Sequence, residues 1–266
     1  MRQLEKDSYI KKWQQEEKQP FTGWDFSYLD GRMFEEQPPW SYEAQATDLL
    51  HNANSVLDLG TGGGENFLKL KPHWPPKVVV TEDHPPNLKL ATERLAPLGV
   101  RVENVSLTET GLLPFTTAEF DLILNRHAAF NPGEVARILS PGGTFLSQQI
   151  HGLWAYDLLA LFDAKPQWPN ATPQHYIPLL AAAGFQLETV EEWSGTLTFT
   201  DVGAIVYYLK AVPWLVPNFS VKRHAQTLLK LQYQLDRGQS LTFQAGKYLL
   251  RATLPPSTAP LKQQRE

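Results

Sequence analysis

The sequence predicts an α/β protein built on a doubly wound, mostly parallel sheet of seven strands with helices on both faces. From residue 55 onward, short β-runs alternate with amphipathic helices, which is typical of parallel sheets. Two of these runs, VVV at 78–80 and LIL at 122–124, are apolar throughout, as expected of strands buried on both sides. A glycine-rich turn at 60–64 follows the first strand and leads into a helix.

Each element follows from its local pattern. Runs rich in Val, Ile, Leu and Phe between turn residues predict strands, and apolar residues at helical spacing predict the helices that connect them. The predicted strands are 55–59, 77–82, 101–105, 120–124, 144–149, 186–192 and 240–254. The predicted helices between them are 65–71, 86–95, 132–139 and 173–183.

Four segments stand outside this alternation. Residues 1–19 read as a polar helix that frays, 20–42 as an irregular, aromatic-rich segment, and 151–172 as an insertion with two Trp after the fifth strand. Residues 201–237 read as two helical stretches split near Pro213–Pro217, placed before the last strand. We therefore predict five parts, in chain order: an N-terminal helical and irregular cap (1–44), a ligand-binding core (45–200), a helical insertion that forms a lid or substrate wall (201–239), the last core strand (240–254) and a disordered tail (255–266).

Composition narrows the function classes. The 266 residues contain 24 Lys and Arg against 28 Asp and Glu, a net charge of −4, which disfavours a dedicated nucleic-acid binder. The absence of cysteine excludes disulfides, cysteine-ligated zinc and a thiol nucleophile, and we expect no metal site. The most apolar stretch is too short to span a bilayer, and the charged N-terminus does not read as a signal peptide. We expect a cytoplasmic protein; the sequence is silent on oligomeric state.

The glycine turn carries the strongest functional signal. It reads VLDLGTGGGE over residues 56–65. A Walker phosphate loop needs Gly-Lys-Ser/Thr, whereas Gly64 is followed by Glu65 and Asn66. The dinucleotide pattern GxGxxG begun at Gly60 needs glycine at 65, where Glu65 stands and would repel a pyrophosphate. What remains is GxGxG at Gly60, Gly62 and Gly64, preceded by the acidic Asp58.

With these residues the chain resembles the class I S-adenosylmethionine-dependent methyltransferases, in particular their small-molecule and quinone-methylating branch, which are Rossmann-like. The resemblance covers about 45–150 well. Besides the glycine turn, it rests on an acidic residue after the second strand (Glu82), the run FDLIL at 120–124 and the segment EVARILSPGG at 134–143. Four such pieces in the family's order and spacing are far more specific than GxGxG alone.

The resemblance implies S-adenosyl-L-methionine as methyl donor and a set of residues around it. In that family the glycine turn lies under the methionine and ribose, and the acidic residue binds the ribose hydroxyls. This donor carries no phosphate, so a site rich in carboxylates suits it. The cofactor-binding residues implied are Asp58, Gly60, Thr61, Gly62, Gly64, Glu82, Asp83, Leu107, Thr108 and Asn125. Ordinary helix-start roles remain open for the acidic residues, above all Glu65 and Asp58.

The candidates for catalysis follow the fourth strand. His127 has an unperturbed pKa near neutrality and is the candidate general base or substrate contact; a structural histidine is the equal alternative. Arg126 is the second candidate, as a ligand for a substrate carboxylate or as a partner of a core acid such as Asp121. Trp40 and Tyr42, before the first core helix, are the aromatic pair expected nearest the cofactor.

The sequence therefore predicts methyl transfer to an unidentified, small-molecule acceptor by in-line displacement. Two alternatives stay open, an RNA methyltransferase and a non-catalytic S-adenosylmethionine-binding protein, and a nicotinamide dehydrogenase is a remote fourth. The negative charge and the lack of cysteine disfavour the RNA acceptor. Neither the accepting atom nor the need for a base can be read from the residues.

Overall fold

In the computed structural model, which describes residues 3–256, the strands form a single mixed sheet. The strands are β1 (Met33–Glu35), β2 (Ser55–Leu59), β3 (Lys77–Thr81), β4 (Arg101–Glu103), β5 (Phe120–Arg126), β6 (Leu139–Ile150), β7 (Gln186–Phe199) and β8 (Leu241–Thr253). Their order in the sheet is β1-β7-β8-β6-β5-β2-β3-β4. The run from β6 to β4 in that order is parallel, and β1 pairs with β7 in the antiparallel sense. The prediction of a doubly wound, mostly parallel α/β fold is confirmed.

Helices occupy the connections between the strands. They are α1 (Gln3–Glu16), α2 (Tyr42–Leu50), α3 (Glu65–Lys69), α4 (Pro85–Leu95), α5 (Pro132–Ile138), α6 (Tyr156–Leu161), α7 (Pro173–Ala182), α8 (Val202–Ala211) and α9 (Val221–Asp236). Short 3-10 turns lie at Ser27–Leu29, Lys71–His73 and Ala96–Leu98. Side-chain caps define several starts, including Ser41 on α2 and Asn131 on α5, which accept backbone N–H bonds.

The sheet has eight strands, not the predicted seven. The additional strand, β1, spans Met33–Glu35 inside the segment interpreted as irregular. Its three residues are too few to show the alternation that identifies a strand from sequence, and its pairing with β7 supplies the hydrogen bonds. Strand β7 likewise continues to Phe199, seven residues beyond the predicted end at 192.

The predicted Pro-Gly-Gly turn lies inside β6 instead of before it. The register of β6 on β5 shifts between the pairs Phe120–Leu139 and Leu122–Thr144. The intervening residues, Ser140–Gly143, form an irregularity, and Gly142 donates its N–H to the carbonyl of Leu254 (2.8 Å). Helix α6 was also missed, because the segment 151–172 has no helical periodicity long enough to detect.

The chain divides into two compact units, which we describe separately. The glycine-turn unit contains Ser41–Gln149, Pro173–Glu191 and 249–256, and the helical unit contains 3–40, Ile150–Thr172 and Glu192–Tyr248. These limits differ from the predicted domain boundaries, since 151–172 and 192–200 pack with the helical unit. Residues 257–266 of the predicted tail lie outside the described part of the chain.

The core of the glycine-turn unit is the parallel sheet itself. Strand β2 is buried at every position, and β3 and β5 are buried through VVV and LIL as their sequence predicts. Strands buried on both faces leave their carboxyl ends as the place where polar side chains meet a ligand.

The core of the helical unit centres on α8. Nine of the ten residues in this helix are buried, and only Lys210 is exposed. Helices α1, α6 and α9 contribute to the same core. The apolar stretch from Ala204 to Val216 therefore consists of most of the buried helix α8 and the segment that follows it. A lid role for 201–239 stays a prediction. In residues 3–256 no helix combines the length and the apolar character that a bilayer crossing demands.

Candidate cofactor site at the glycine turn

The glycine turn links β2 to α3 through three left-handed backbone positions. Gly60, Gly62 and Gly64 have φ angles of +68°, +63° and +83°. These angles are readily available only to glycine, because a Cβ would collide with the following carbonyl. The GxGxG spacing predicted from the sequence is thus a requirement of this backbone path.

Close packing adds a second requirement for glycine. A Cβ on Gly60 would lie 2.5 Å from the Cβ of Ala128, and one on Gly64 would lie 2.9 Å from Cδ1 of Leu95. The turn is also tied to β3, since Gly60 donates its N–H to Oγ1 of Thr81 (3.1 Å). The backbone of the turn is therefore confined by Ala128, Leu95 and Thr81.

Glu82, directly after β3, holds the turn from the other side. Its Oε2 accepts the Gly62 N–H (2.8 Å) and its Oε1 accepts the His84 N–H (2.9 Å). The residue is only 8% exposed. Two backbone N–H bonds fix the carboxylate, and each oxygen keeps a further lone pair for a hydroxyl donor.

Asp58, within β2, is the second buried carboxyl of the site. It is 8% exposed. Burial raises the pKa of Asp58 to about 7, with the Glu82 charge adding to the rise, while the Thr61 hydroxyl and the Arg126 guanidinium oppose it. The carboxyl is therefore poised to titrate near neutral pH and to become charged when a cation approaches.

Tyr42 and Arg126 complete this side of the site. Tyr42, the first residue of α2, has a buried hydroxyl whose pKa is raised well above its usual value by burial and by the Asp58 charge. The Arg126 guanidinium lies over the Tyr42 ring, 5.9 Å from its centre. The alternative partner, Asp121, sits at the opposite end of β5 and accepts the Asn54 N–H instead (3.0 Å).

Asn125 has its amide oriented by a buried polar network. Its Oδ1 accepts from the Ala128 N–H (3.2 Å) and from Nε2 of Gln149 (2.7 Å), which also donates to the Ala128 carbonyl. A backbone N–H can only donate, so the atom facing Ala128 must be the oxygen. Nδ2 of Asn125 is consequently left buried without a hydrogen-bond partner among the described residues. Such a donor is costly unless a ligand or water accepts from it.

His127 lies at the carboxyl end of β5 in a strained conformation. Its φ is +68°, which is uncommon for a residue with a Cβ, and its N–H donates to the Gln148 carbonyl (2.9 Å). The side chain is exposed, and its Nε2 lies 3.3 Å from Nε2 of Gln148. A strained, exposed histidine at the end of a central strand is suitably placed to meet a substrate, which stays a prediction.

The remaining predicted residues differ in how closely they join the site. Leu107 is half-buried, with its Cδ1 at van der Waals distance (3.5 Å) from where a Cβ on Gly60 would lie. Thr108 is exposed with its hydroxyl beside Gly111, and Asp83 is exposed after the buried Glu82. The structure therefore brings Leu107 to the turn and leaves Thr108 and Asp83 at the surface.

Glu65 has a partner of its own. It forms an ion pair with Arg94, and Arg94 also donates to the Gly63 carbonyl (2.8 Å). Of the two interpretations of Glu65, this contact supports the structural one, in which the carboxylate braces the turn.

Asn87 was not identified from the sequence. It lies in the first turn of α4, is 2% exposed, and its Oδ1 has no hydrogen-bond partner within the part of the chain that is described. It shares a helix face with Ala91 and with Leu95, which packs on Gly64. The sequence does contain a signal for Asn87, because it is a polar residue on an otherwise apolar stripe of its helix.

Across residues 3–256, no group of three or more His, Cys, Asp or Glu side chains lies close enough together to hold an ion.

Comparison with known families now identifies the region. A family model described as a methyltransferase domain matches residues 56–143. Residues 56–143 are thus similar to the methyltransferase domain family. The matched range begins in β2 and ends in β6, so it contains the glycine turn, Glu82 and the end of β5. The resemblance to class I S-adenosylmethionine-dependent methyltransferases is confirmed.

A curated relative supports the same assignment. The demethylmenaquinone methyltransferase of Deinococcus radiodurans is 32% identical over 114 residues, which cover 39% of this chain and 46% of that protein. The chain thus matches less than half of the length of this relative, and the match is confined to part of each protein.

Solved structures share the fold over a larger part of the chain. A proposed methyltransferase from Bacillus halodurans superposes with a TM-score of 0.57 at 21% identity, covering 80% of this chain and 97% of that one. The YcgJ protein of Bacillus subtilis superposes with a TM-score of 0.57 at 18% identity, covering 81% of this chain and 98% of that one. A functionally unknown protein from Deinococcus radiodurans superposes with a TM-score of 0.52 at 16% identity, covering 94% of this chain and 99% of that one. At these identities the likeness is one of fold.

Proposed function

We propose that this protein transfers a methyl group from S-adenosyl-L-methionine to a small-molecule acceptor. The observation that carries the proposal is the buried Glu82 carboxylate, held by the Gly62 and His84 N–H groups at the end of β3. A fixed carboxylate with unused lone pairs beside a glycine turn suits a pair of ribose hydroxyls, because charged acceptors make the stronger hydrogen bonds.

The charge at the turn supports this donor over a nucleotide with a pyrophosphate. Asp58 and Glu82 are both buried here, and neither forms an ion pair shorter than 4 Å with a cation of residues 3–256. Two buried carboxylates would repel phosphates. A ligand ammonium placed beside Asp58 would instead be attracted and would lower the pKa of that carboxyl.

Asn125 supplies the complementary polar group. Its unpaired Nδ2 donates two hydrogens, and the Ala128 and Gln149 contacts prevent the amide from reversing. We propose that Nδ2 of Asn125 donates a hydrogen bond to an oxygen or nitrogen atom of the bound methyl donor. The methionine portion, which has a carboxylate, is the chemically matching part.

The reaction requires alignment of the acceptor with the methyl group more than it requires acid–base chemistry. S-adenosyl-L-methionine, when bound, supplies an activated methyl group on a sulfonium. The chain's task is to hold the acceptor in line with that methyl and to exclude water. We assign acceptor contacts to Arg126 and His127, which follow each other at the carboxyl end of β5. His127 also accepts a proton where the acceptor must lose one.

Two observations support a small molecule as the proposed acceptor. The curated relative acts on demethylmenaquinone by its name, which is a quinone. The net charge of −4 offers no general attraction for a polyphosphate backbone. A planar, small acceptor is therefore the proposed class.

Calorimetric titration tests the donor. S-adenosylhomocysteine is expected to bind the wild-type protein, and NAD is expected to give no response. Binding of the ammonium beside Asp58 should also release protons near pH 7, which appears as a difference in binding enthalpy between buffers of different ionisation enthalpy. The Asp58→Asn variant provides the matched control and should release none. Tight NAD binding with no response to S-adenosylhomocysteine would refute the proposal.

Transfer of a labelled methyl group tests turnover. Quinols and metabolite extracts serve as acceptors, and the label is expected in a small molecule and not in added RNA. Once an acceptor is found, His127→Ala distinguishes the two roles of His127. A base predicts loss of rate that is smallest at high pH, whereas a contact predicts a higher KM at every pH. Label in RNA alone would overturn the acceptor class.

A further inference from the structure

The helical unit contains a cavity of about 560 Å³ that is separate from every motif discussed above. It is lined by the segment after α6, by the loop between α8 and α9, and by the first turns of α9. This volume falls within the range of about 300–1,000 Å³ that is usual for small-molecule sites.

Two cations from distant segments line this cavity. Lys165 follows α6, and Arg223 lies in the first turn of α9. Both side chains are exposed, and neither forms an ion pair with any acidic residue in the described portion of the chain. Lys222, Arg223 and His224 are consecutive in the sequence, and of these Arg223 and His224 line the cavity whereas Lys222 does not.

Aromatic rings form the wall behind these cations. His224 stacks on Phe219, with ring centres 5.2 Å apart and planes 2° apart, and Phe162 meets the His224 ring edge-on at 5.5 Å. Nδ1 of His224 contacts the Ser220 backbone, 3.1 Å from its carbonyl oxygen. The aromatic cluster holds the start of α9 in place and presents Arg223 from a fixed backbone.

Backbone groups do not provide the attraction for an anion here. The Val221 N–H is taken by Glu17, and the Arg223 N–H is taken by Oγ of Ser220. One acid, Asp163, also lines the cavity and offsets part of the positive charge. The side chains of Lys165 and Arg223 must therefore supply the binding.

We propose that this cavity binds the phosphate group of a small molecule or of a lipid headgroup. A guanidinium presents paired N–H donors that match phosphate oxygens, and an ammonium adds a compact positive charge. Because the cavity lies apart from the glycine turn in the sequence and needs no methyl donor, this proposal stands independently of the proposed methyl transfer.

Titration of the intact protein with pyrophosphate and with glycerol 3-phosphate, at constant ionic strength, tests the site. We expect saturable binding with one equivalent, weakened about tenfold by Lys165→Ala and by Arg223→Ala. Lys222→Ala is the matched control, since it removes a neighbouring charge outside the cavity, and it should leave the affinity unchanged.

Asp163→Asn tests the site by a gain of affinity, which misfolding cannot mimic. Asp163 has a φ of +55°, a conformation that asparagine tolerates well. Removing its negative charge should tighten pyrophosphate binding by about threefold. No saturable binding, or equal weakening by Lys222→Ala, would overturn the proposal.

Vesicles separate the two sources of phosphate. Co-sedimentation with phosphatidylglycerol vesicles that depends on Lys165 and Arg223 supports a lipid headgroup, with phosphatidylcholine vesicles as the control. Binding of the free phosphate compounds without co-sedimentation supports a small molecule. Binding of RNA without either would identify a nucleic-acid surface and refute the proposal.

Discussion

The two units of this protein partner their carboxylates in different ways. In the helical unit, Glu35 pairs with the buried Lys247, and Asp201 and Glu16 both pair with Arg32, at 2.7 and 2.9 Å. At the glycine turn, Glu82 is held by backbone N–H groups, and Asp58 has no ion pair within residues 3–256.

We infer from this difference that the paired carboxylates serve the fold, whereas Asp58 and Glu82 are available to the proposed ligand. Burial raises the pKa of Asp201, but Arg32 and the Ala204 N–H outweigh it, so that the pKa lies below its usual value. For Asp58, burial dominates and the pKa is raised to about 7. A buried charge without a cation destabilises the empty protein, and binding of a cationic ligand removes that cost.

The largest expected effect concerns the ion pair of the helical unit. Glu35→Gln should lower the free energy of unfolding by about 3 kcal/mol or more, because Lys247, 6% exposed, would keep its charge without a partner. Urea unfolding measures the change. Glu36→Gln, an exposed neighbour, is the control, and the double variant Glu35→Leu with Lys247→Met should recover most of the loss. A stability unchanged by Glu35→Gln would mean that this pair is not structural.

Replacement of Asp58 should change the free energy of unfolding in the opposite direction, that is, increase it. Its folded pKa, about 7, lies above the unfolded value of 3.8, so the folded protein holds an extra proton between these values and loses stability as the pH rises from about 4 to 7. Asp58→Asn removes this loss and should be more stable than wild type by up to about 4 kcal/mol at pH 8, with little difference near pH 4. Thermal unfolding against pH measures it, with the exposed Asp48→Asn as control. Equal pH profiles for the wild type and Asp58→Asn would contradict the raised pKa.

The third prediction concerns Glu82 and the ligand. Glu82→Ala should weaken S-adenosylhomocysteine binding by roughly 1.5–3 kcal/mol, on the order of 10- to 150-fold, through loss of charge-assisted bonds to the ribose. Calorimetry measures the affinity. Glu119→Gln is the matched control, because Glu119 also accepts a backbone N–H, that of Thr116 (2.7 Å), but precedes β5 at the amino end of the strand. An affinity as low in Glu119→Gln as in Glu82→Ala would point to general loss of structure.

The smallest effect concerns the backbone of the site. His127 has a φ of +68°, so His127→Gly should be more stable than His127→Ala by about 1 kcal/mol, since glycine adopts that conformation without strain. Urea unfolding of the two variants gives the difference. Ala129→Gly, where φ is not positive, should instead lower stability. Equal stability of the two His127 variants would remove the case for strain at this position.

The sequence was most informative where the physical cause is local. The glycine turn was predicted because left-handed φ angles need glycine within a few residues of a strand end. The acidic residue after β3 was implied by the resemblance to the methyltransferase family, and the structure adds its bond to Gly62. The amide orientation of Asn125 was beyond prediction, since it depends on Gln149, which lies 24 positions away on another strand.

The amino-acid sequence by itself determined the alternation of strands and helices, the glycine turn and the residue types around it. These depend on steric limits and hydrophobic periodicity, which act between near neighbours. Only the tertiary structure decided that Glu35 meets Lys247, 212 positions away, that Asp58 lacks an ion-pair partner among the described residues, and that Lys165 shares a cavity with Arg223. Burial and charge pairing depend on which distant segments pack together, and one strand's pattern carries no record of its remote partner.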